Sequence, residues 1–229
     1  MRLLDLFCGA GGAGAGYMAA GFEVTGVDIA RQPRYPGAFI QADVMSLNAD
    51  WVAAFDVIHA SPPCQGYTTM QHAPGAKGAP RLIGEVRAML EASGRPYVIE
   101  NVEGAASEMR SPVVLCGSMF KGLEAEGCQL RRHRLFETNW PLAQPMCSHD
   151  ENRPVVGVYG GHARRRSAKH GGRGTKDVWV GGHKTAASAA MGIDWMTLTE
   201  MSEAIPPAYT DFIGVRLRGH LMHLRLHES

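Results

Sequence analysis

From Arg2 to Val102 the chain alternates short apolar runs with stretches in which apolar side chains recur at helical spacing. RLLDLF has the length of a buried strand, CGAGGAGAG after it is a glycine-rich turn, and AGYMAAGF is the helix that the turn opens. EVTGVDIA, which ends in an acid, completes a strand-helix-strand unit. AFIQADV and FDVIHAS follow as strands, and then a Gly/Pro-rich loop runs from Gly66 to Pro80, longer than most strand-to-helix connections. Leu82, Ile83, Val86, Met89 and Leu90 fall on one helical face before the strand PYVIENV. Strands alternating with helices predict an α/β fold with a doubly wound, mostly parallel sheet, and place ligands at the carboxyl ends of the strands.

Composition narrows the class. With 229 residues, 45% of them hydrophobic, the chain can bury one sizeable core and a small lobe. Its five cysteines, Cys8, Cys64, Cys116, Cys128 and Cys147, lack the dense spacing of a disulfide framework, which points to a reducing, cytoplasmic setting. Asp5 comes too early for a signal peptide, and no apolar run approaches the ~20 residues of a membrane span. The net charge of +1 is unevenly spread. No acid occurs between Glu151 and Asp177, whereas Arg164, Arg165, Arg166, Lys169, Arg173 and Lys176 lie there, and the remainder of the chain is net acidic. A local basic segment on an acidic body suits a polyanion, although a solvated loop has the same composition.

The glycines of DLFCGAGGAGAG let the backbone approach a ligand, and Asp28, about 20 residues further on, is placed to hold a ribose hydroxyl pair. Phe7 and Cys8 intervene between strand and glycines, so the pattern departs from the dinucleotide fingerprint, and the turn alone does not decide the ligand. A second constellation is HASPPCQGYTT, in which Pro62 and Pro63 fix two backbone dihedrals ahead of Cys64. A thiol on so stiff a mount suits a positioned nucleophile, the alternative being a buried, inert cysteine.

Taken in order, DLFCGAGG, VDIA, ADV, ASPPCQGY, IENV and RRHRLF resemble the DNA cytosine carbon-5 methyltransferases from Leu3 to about Glu137, and GIDWMTLTEMSEAIPPAYTDFIG resembles them more weakly. The resemblance implies a Rossmann-like fold and S-adenosylmethionine as cofactor. Phe7, Cys8, Gly9, Ala10, Gly11 and Gly12 would border it, with Phe7 against the adenine face. Asp28 would bind the ribose, Ile29 the base, and Asp43 the adenine amino group beside Val44, with Pro63 and Leu82 completing the pocket. Cys64 would attack carbon 6 of cytosine, Glu100 would be held protonated to donate to ring nitrogen 3, and Arg134, with Arg132 behind it, would bind the base carbonyl. The plain alternatives are a core position for Phe7 and phosphate contacts for the arginines.

The cytosine would be flipped out of duplex DNA, with Gln65, Thr68 and Thr69 facing the nucleic acid and Arg164, Arg165, Arg166, Lys169 and Arg173 contacting phosphates. Residues 1–137 are then the catalytic core, 138–189 a short basic recognition segment, and 190–229 helices returning to the core. An RNA or nucleotide methyltransferase and a catalytically silent DNA-binding relative remain as alternatives. A monomer is expected, of phage type and paired with restriction only through a separate nuclease. Three features depart from the family pattern: Leu130 stands where a glutamine opens the arginine motif, with Gln129 one place earlier; Glu203 stands where an asparagine precedes the proline pair; and the recognition segment is short. Cys116, Cys128, Cys147 and His149 are irregularly spaced and contain no C-x-x-C pair, so no metal is expected. GVYGGH and VWVGGH read as two strands of one recognition hairpin.

Overall fold

The computed structural model describes residues 1–67, 78–166 and 179–227. In chain order the elements are β1 (Arg2–Leu6), α1 (Gly12–Ala19), β2 (Glu23–Asp28), β3 (Ala38–Gln41), α2 (Ala49–Ala53), β4 (Val57–Ala60), α3 (Ile83–Ala92), β5 (Tyr97–Asn101), β6 (Val113–Leu115), β7 (Glu124–Ala125), β8 (Cys128–Leu130), β9 (Arg134–Thr138), β10 (Val155–Tyr159), β11 (His162–Arg166), α4 (Gly182–Met191), α5 (Leu198–Glu203) and α6 (Pro207–His227).

A seven-stranded sheet runs in the order β3-β2-β1-β4-β5-β9-β6. β3, β2, β1, β4 and β5 are mutually parallel, and β9 runs antiparallel to both β5 and β6. This is the doubly wound, mostly parallel α/β architecture expected from the sequence. The strand order reverses around β1, the place where such sheets open a ligand crevice at their carboxyl ends. Alternation along the central strands loads both faces: Leu3, Val57 and Val98 pack into one apolar cluster, and their neighbours Leu4, Ile58 and Ile99 into the other. Burial on both sides is why these strands read as largely apolar runs, interrupted by Asp5 in β1 and His59 in β4.

α1 and α6 cover one face, and α2 and α3 contribute Val52, Ile83, Val86 and Leu90 to the other. The glycines of α1 serve close packing. A side chain at Gly16 would strike the backbone oxygen of Pro207 and the Thr210 hydroxyl, so the helix lies directly on the start of α6. The Thr210 hydroxyl donates to the Ala13 carbonyl at 2.8 Å across that contact. On β9, Glu137 is buried and takes two hydrogen bonds from the Arg87 guanidinium at 2.6 and 2.7 Å, plus one from the Arg110 N–H at 2.7 Å. Removing one member of such a buried pair costs about 3–5 kcal/mol, because the survivor is left uncompensated.

A second sheet, β11-β10-β8-β7, shares the apolar cluster of α1 and α6 through Leu130, Val156, Val158 and Ala163. It takes β7 and β8 from before residue 138 and pairs β8 with β10 in parallel across the connection that contains β9. Among the described residues, GVYGGH and the stretch from Trp179 to His183 do not form one hairpin. β10 turns back into β11 through Gly160 and Gly161, at φ 56° and 73°, the two-residue primed turn that paired glycines favour. The second stretch instead passes through Trp179, whose indole donates to the Ala163 carbonyl at 3.0 Å, into α4. Among the described residues no helix is long and apolar enough to cross a membrane.

Candidate active site

The carboxyl ends of β1, β2, β4 and β5 meet at one edge of the large sheet, and β9, being antiparallel, brings its amino end and Arg134 to the same edge. Together with α5 they enclose a cavity of about 430 Å³. Phe7, Cys8, Gly9, Ala10, Gly12, Asp28 and Ile29 line one part, and Pro63, Cys64, Gln65, Glu100 and Arg134 another. Two groups of residues that lie far apart in the sequence, the first ending at Ile29 and the second starting at Pro63, thus share one chamber.

In the glycine-turn half, Phe7 holds φ at 56°, a left-handed conformation that bulky residues rarely adopt. The turn it creates aims the Gly9 N–H at Asp28 Oδ2, 3.0 Å away, while the Ala30 N–H donates to Oδ1 at 2.9 Å. Each carboxylate oxygen keeps free acceptor capacity, and the group is oriented by backbone alone. Ile29 is 68% exposed beside it and presents an apolar surface to the cavity. From the far end of the chain, the Trp195 indole donates to the Ala10 carbonyl at 3.0 Å and braces the turn.

In the other half, the mount of Cys64 is locked from behind: the Asn101 amide donates to the Pro62 carbonyl at 2.9 Å. The thiol faces the open cavity, yet the surrounding walls withdraw it from bulk water. Burial and the Glu100 carboxylate push it up from the ordinary cysteine range, with Arg134 opposing them. Burial likewise raises Glu100, against the pull of Arg134, whose Nε lies 3.2 Å from Glu100 Oε1, and of the Ser61 hydroxyl. Behind Ser61 runs a chain of buried groups: Ser61 Oγ to His59 Nε2 at 2.9 Å, then His59 Nδ1 to Tyr17 Oη at 3.0 Å. Burial lowers His59 to about 3, so its ring is neutral and offers one donor and one acceptor to the chain.

Asp5 forms part of the cavity wall and was not singled out as a site residue from the sequence; its signal was a lone acid inside an apolar strand. Tyr35 donates to its Oδ2 at 3.1 Å, but buried Oδ1 has no partner. Burial is the largest cause that raises Asp5 from 3.8 to about 7. Because the folded-state value lies above the unfolded one, its contribution is intact below about pH 4 and is lost as pH rises through about 7, a cost on the order of 4 kcal/mol. Asp5→Asn should therefore raise the melting temperature of the ligand-free protein at pH 8 and change it little at pH 4. Calorimetry at the two pH values checks this, and an equal gain at both would contradict it.

Other site residues named from the sequence sit elsewhere. Gly11 caps α1, Leu82 caps α3, and neither lines the cavity. Asp43 is turned to the Met45 N–H at 3.0 Å, with Val44 buried beside it. Arg132 is buried with its guanidinium on the carbonyls of Val158, Ser202 and Ala204 at 2.7–3.0 Å, and it fastens β10 to α5 instead of lining the cavity. Gln129, near the place of the family glutamine, spends its amide on the carbonyls of Asp150 and Arg153. Glu203 does line the cavity. Arg164 is exposed on β11, Arg165 stacks over Trp179, and Arg166 lies over Tyr159. Thr68, Thr69, Lys169 and Arg173 lie outside the described residues.

A parallel sheet that gathers a glycine turn, an acid on the next strand and a proline-mounted thiol defines a methyltransferase. The model of the C-5 cytosine-specific DNA methylase family matches residues 1–127, and the chain belongs to that family. Among solved structures, a prophage-encoded E. coli protein assigned as a DNA modification methyltransferase has 15% identity and a TM-score of 0.59 over 96% of this chain and 99% of its own. The S. pombe Dnmt2 methyltransferase has 14% identity and a TM-score of 0.59, with 96% and 99% covered, and the Entamoeba histolytica methyltransferase EhMeth 10% and 0.57, with 96% and 98%. At such identities the likeness is one of fold. No match among curated proteins was found.

Proposed function

We propose that the protein transfers a methyl group from S-adenosylmethionine to carbon 5 of a cytosine in duplex DNA, through a covalent bond between Cys64 Sγ and carbon 6. The observation that carries this reading is the single cavity shared by Cys64, Glu100 and Arg134 with Phe7, Asp28 and Ile29. The residues suit the cofactor: Asp28 presents oriented acceptors for ribose hydroxyls, Ile29 an apolar face for adenine, and the unpartnered Asp5 Oδ1 an acceptor deeper in. When bound, the cofactor supplies an electrophilic methyl group.

The chain's own groups do the rest. Arg134 binds the base carbonyl, and protonated Glu100 gives its proton to ring nitrogen 3 as the Cys64 thiolate adds to carbon 6. With Glu100 protonated, its charge no longer disfavours the thiolate, and Arg134 favours it against burial and the smaller effect of Glu203. Carbon 5 gains the electron pair and takes the methyl group. Loss of the carbon 5 proton to water then breaks the carbon–sulfur bond, frees the thiolate and returns the nitrogen 3 proton to Glu100. The Ser61-His59-Tyr17 chain holds Glu100 in place, and Arg132 positions α5 over the cavity.

Flipping brings the cytosine into the chamber, because its carbons are inaccessible in a stacked duplex. The four-stranded sheet, with Arg164 exposed and residues 138–189 supplying β10 and β11, would form the recognition lobe, on a core of residues 1–137 joined by the returning helices of 190–229. Transfer of labelled methyl groups to duplex DNA, single-stranded DNA, tRNA and deoxycytidine monophosphate, compared side by side, tests the substrate. Duplex DNA should be the best acceptor, with bisulfite-resistant cytosines in a short site. Transfer confined to tRNA or to the nucleotide would replace DNA as the substrate.

A further inference from the structure

Away from the cavity, the fold assembles a second constellation. Cys116 follows β6, His133 stands one residue before β9, and Cys147 and His149 lie in the connection from β9 to β10. One ligand atom from each residue falls within 4.8 Å of all the others. His149 Nε2 is 3.3 Å from Cys116 Sγ and 3.0 Å from Cys147 Sγ, and His133 Nε2 is 3.7 Å from Cys147 Sγ. Around a tetrahedral zinc ion, with bonds of about 2.3 Å to sulfur and about 2.0 Å to nitrogen, neighbouring S and N ligands lie roughly 3.5 Å apart. We propose that Cys116, His133, Cys147 and His149 bind a structural zinc ion.

The surroundings complete such a site. His133 Nδ1 lies 3.0 Å from Glu103 Oε1, so the nitrogen not offered to the metal has the carboxylate partner that fixes the tautomer of metal-bound histidines. Ser118 Oγ is 3.3 Å from Cys116 Sγ and 3.6 Å from Cys147 Sγ, and its hydroxyl stabilises thiolate charge. Two thiolates neutralise the divalent ion, and binding releases their two protons. Four protein ligands leave no open position, which makes the role structural. The site ties three separate segments together directly beside Arg134, whose Nη1 donates to the His133 carbonyl at 2.8 Å. It thereby anchors the approach to the second sheet and the start of the strand that carries an active-site arginine. Irregular spacing hid the set from the sequence: His133 lies inside the arginine motif, and Cys128, the cysteine grouped with the others by sequence, is buried elsewhere with its thiol toward the Glu126 carbonyl.

Elemental analysis of the full chain, purified under reducing conditions and dialysed, tests this directly. About one zinc per chain is expected, falling below about a tenth in Cys147→Ser and in His149→Ala and persisting in Cys128→Ala, as befits a closed four-ligand site. Cys147 and His149 lie near the surface, and circular dichroism verifies that both variants fold. Cobalt(II) added to the zinc-stripped wild-type chain should give thiolate charge-transfer bands and intense tetrahedral visible bands. The proposal is overturned by a wild-type chain that retains no zinc and gives no such cobalt spectrum, by full zinc content in folded Cys147→Ser, or by a Cys116–Cys147 disulfide in the reduced preparation.

Discussion

Cys64→Ala is expected to lower methyl transfer by at least about a hundredfold while leaving the melting temperature and cofactor affinity close to those of the unaltered protein. The size of the effect follows from the chemistry, since without addition at carbon 6 there is no electron pair at carbon 5 to accept a methyl group. The preserved fold follows from the structure. Cys64 faces the cavity, and its mount is held by the Asn101 amide on the Pro62 carbonyl and by the Tyr67 N–H on the Cys64 carbonyl, contacts of backbone atoms that the substitution leaves in place. Asp28, for its part, is oriented by the Gly9 and Ala30 N–H groups and not by Cys64. Rate measurements at saturating cofactor, paired with calorimetric titration of S-adenosylhomocysteine, separate the outcomes. A variant retaining more than about a hundredth of the rate would show that Cys64 is not the nucleophile, whereas joint loss of rate and cofactor affinity would mean that the substitution had disturbed the whole chamber.

What the sequence made legible and what it hid divide along physical lines. β1, β4 and β5 are buried on both faces and read as largely apolar runs, while β2 is read from Val24 and Val27 and the acid that ends it. Asp28, Cys64 and Glu100 could be placed because each stands at or just beyond such an end, and Arg134 because β9 returns antiparallel to the same edge. The second sheet left a fainter trace. β7 has two residues and β8 three, too few for a period, and the pairing of β8 with β10 spans the whole of β9. The glycine pairs of GVYGGH and VWVGGH look alike in sequence but serve different ends, a hairpin turn in one and a helix start in the other.

Polar residues were hardest where they serve one another. Asp5, His59 and Ser61 sit in or beside apolar strands, and nothing in their spacing reveals that His59 and Ser61 link Tyr17 to Glu100 or that Asp5 lacks a partner for one oxygen. Arg132 illustrates the converse. In the motif RRHRLF it reads as an active-site group beside Arg134, since residues two apart on an extended chain share a face, yet β9 begins only at Arg134, and Arg132 before it turns to the carbonyls of Val158, Ser202 and Ala204. There it joins residues up to 72 positions apart, a contact that no local pattern records. His133 between the two arginines turns to a third set of partners, Glu103 and Cys147.

The proposed covalent step offers a way to arrest the reaction on the protein. In duplex DNA bearing 5-fluorocytosine at the target position, the proposed addition of Cys64 and methyl transfer would proceed, but fluorine cannot depart as the carbon 5 proton does, and the carbon–sulfur bond would have no route to break. Incubation of the unaltered protein with S-adenosylmethionine and such a duplex, built on a sequence shown to be a substrate, should give a denaturation-resistant protein-DNA adduct in nearly stoichiometric yield. Mass spectrometry of the digested adduct should place the nucleotide, with its added methyl group, on the peptide containing Cys64, and Cys64→Ala should give none. No adduct on a demonstrated substrate, or an adduct through any other residue, would contradict the account.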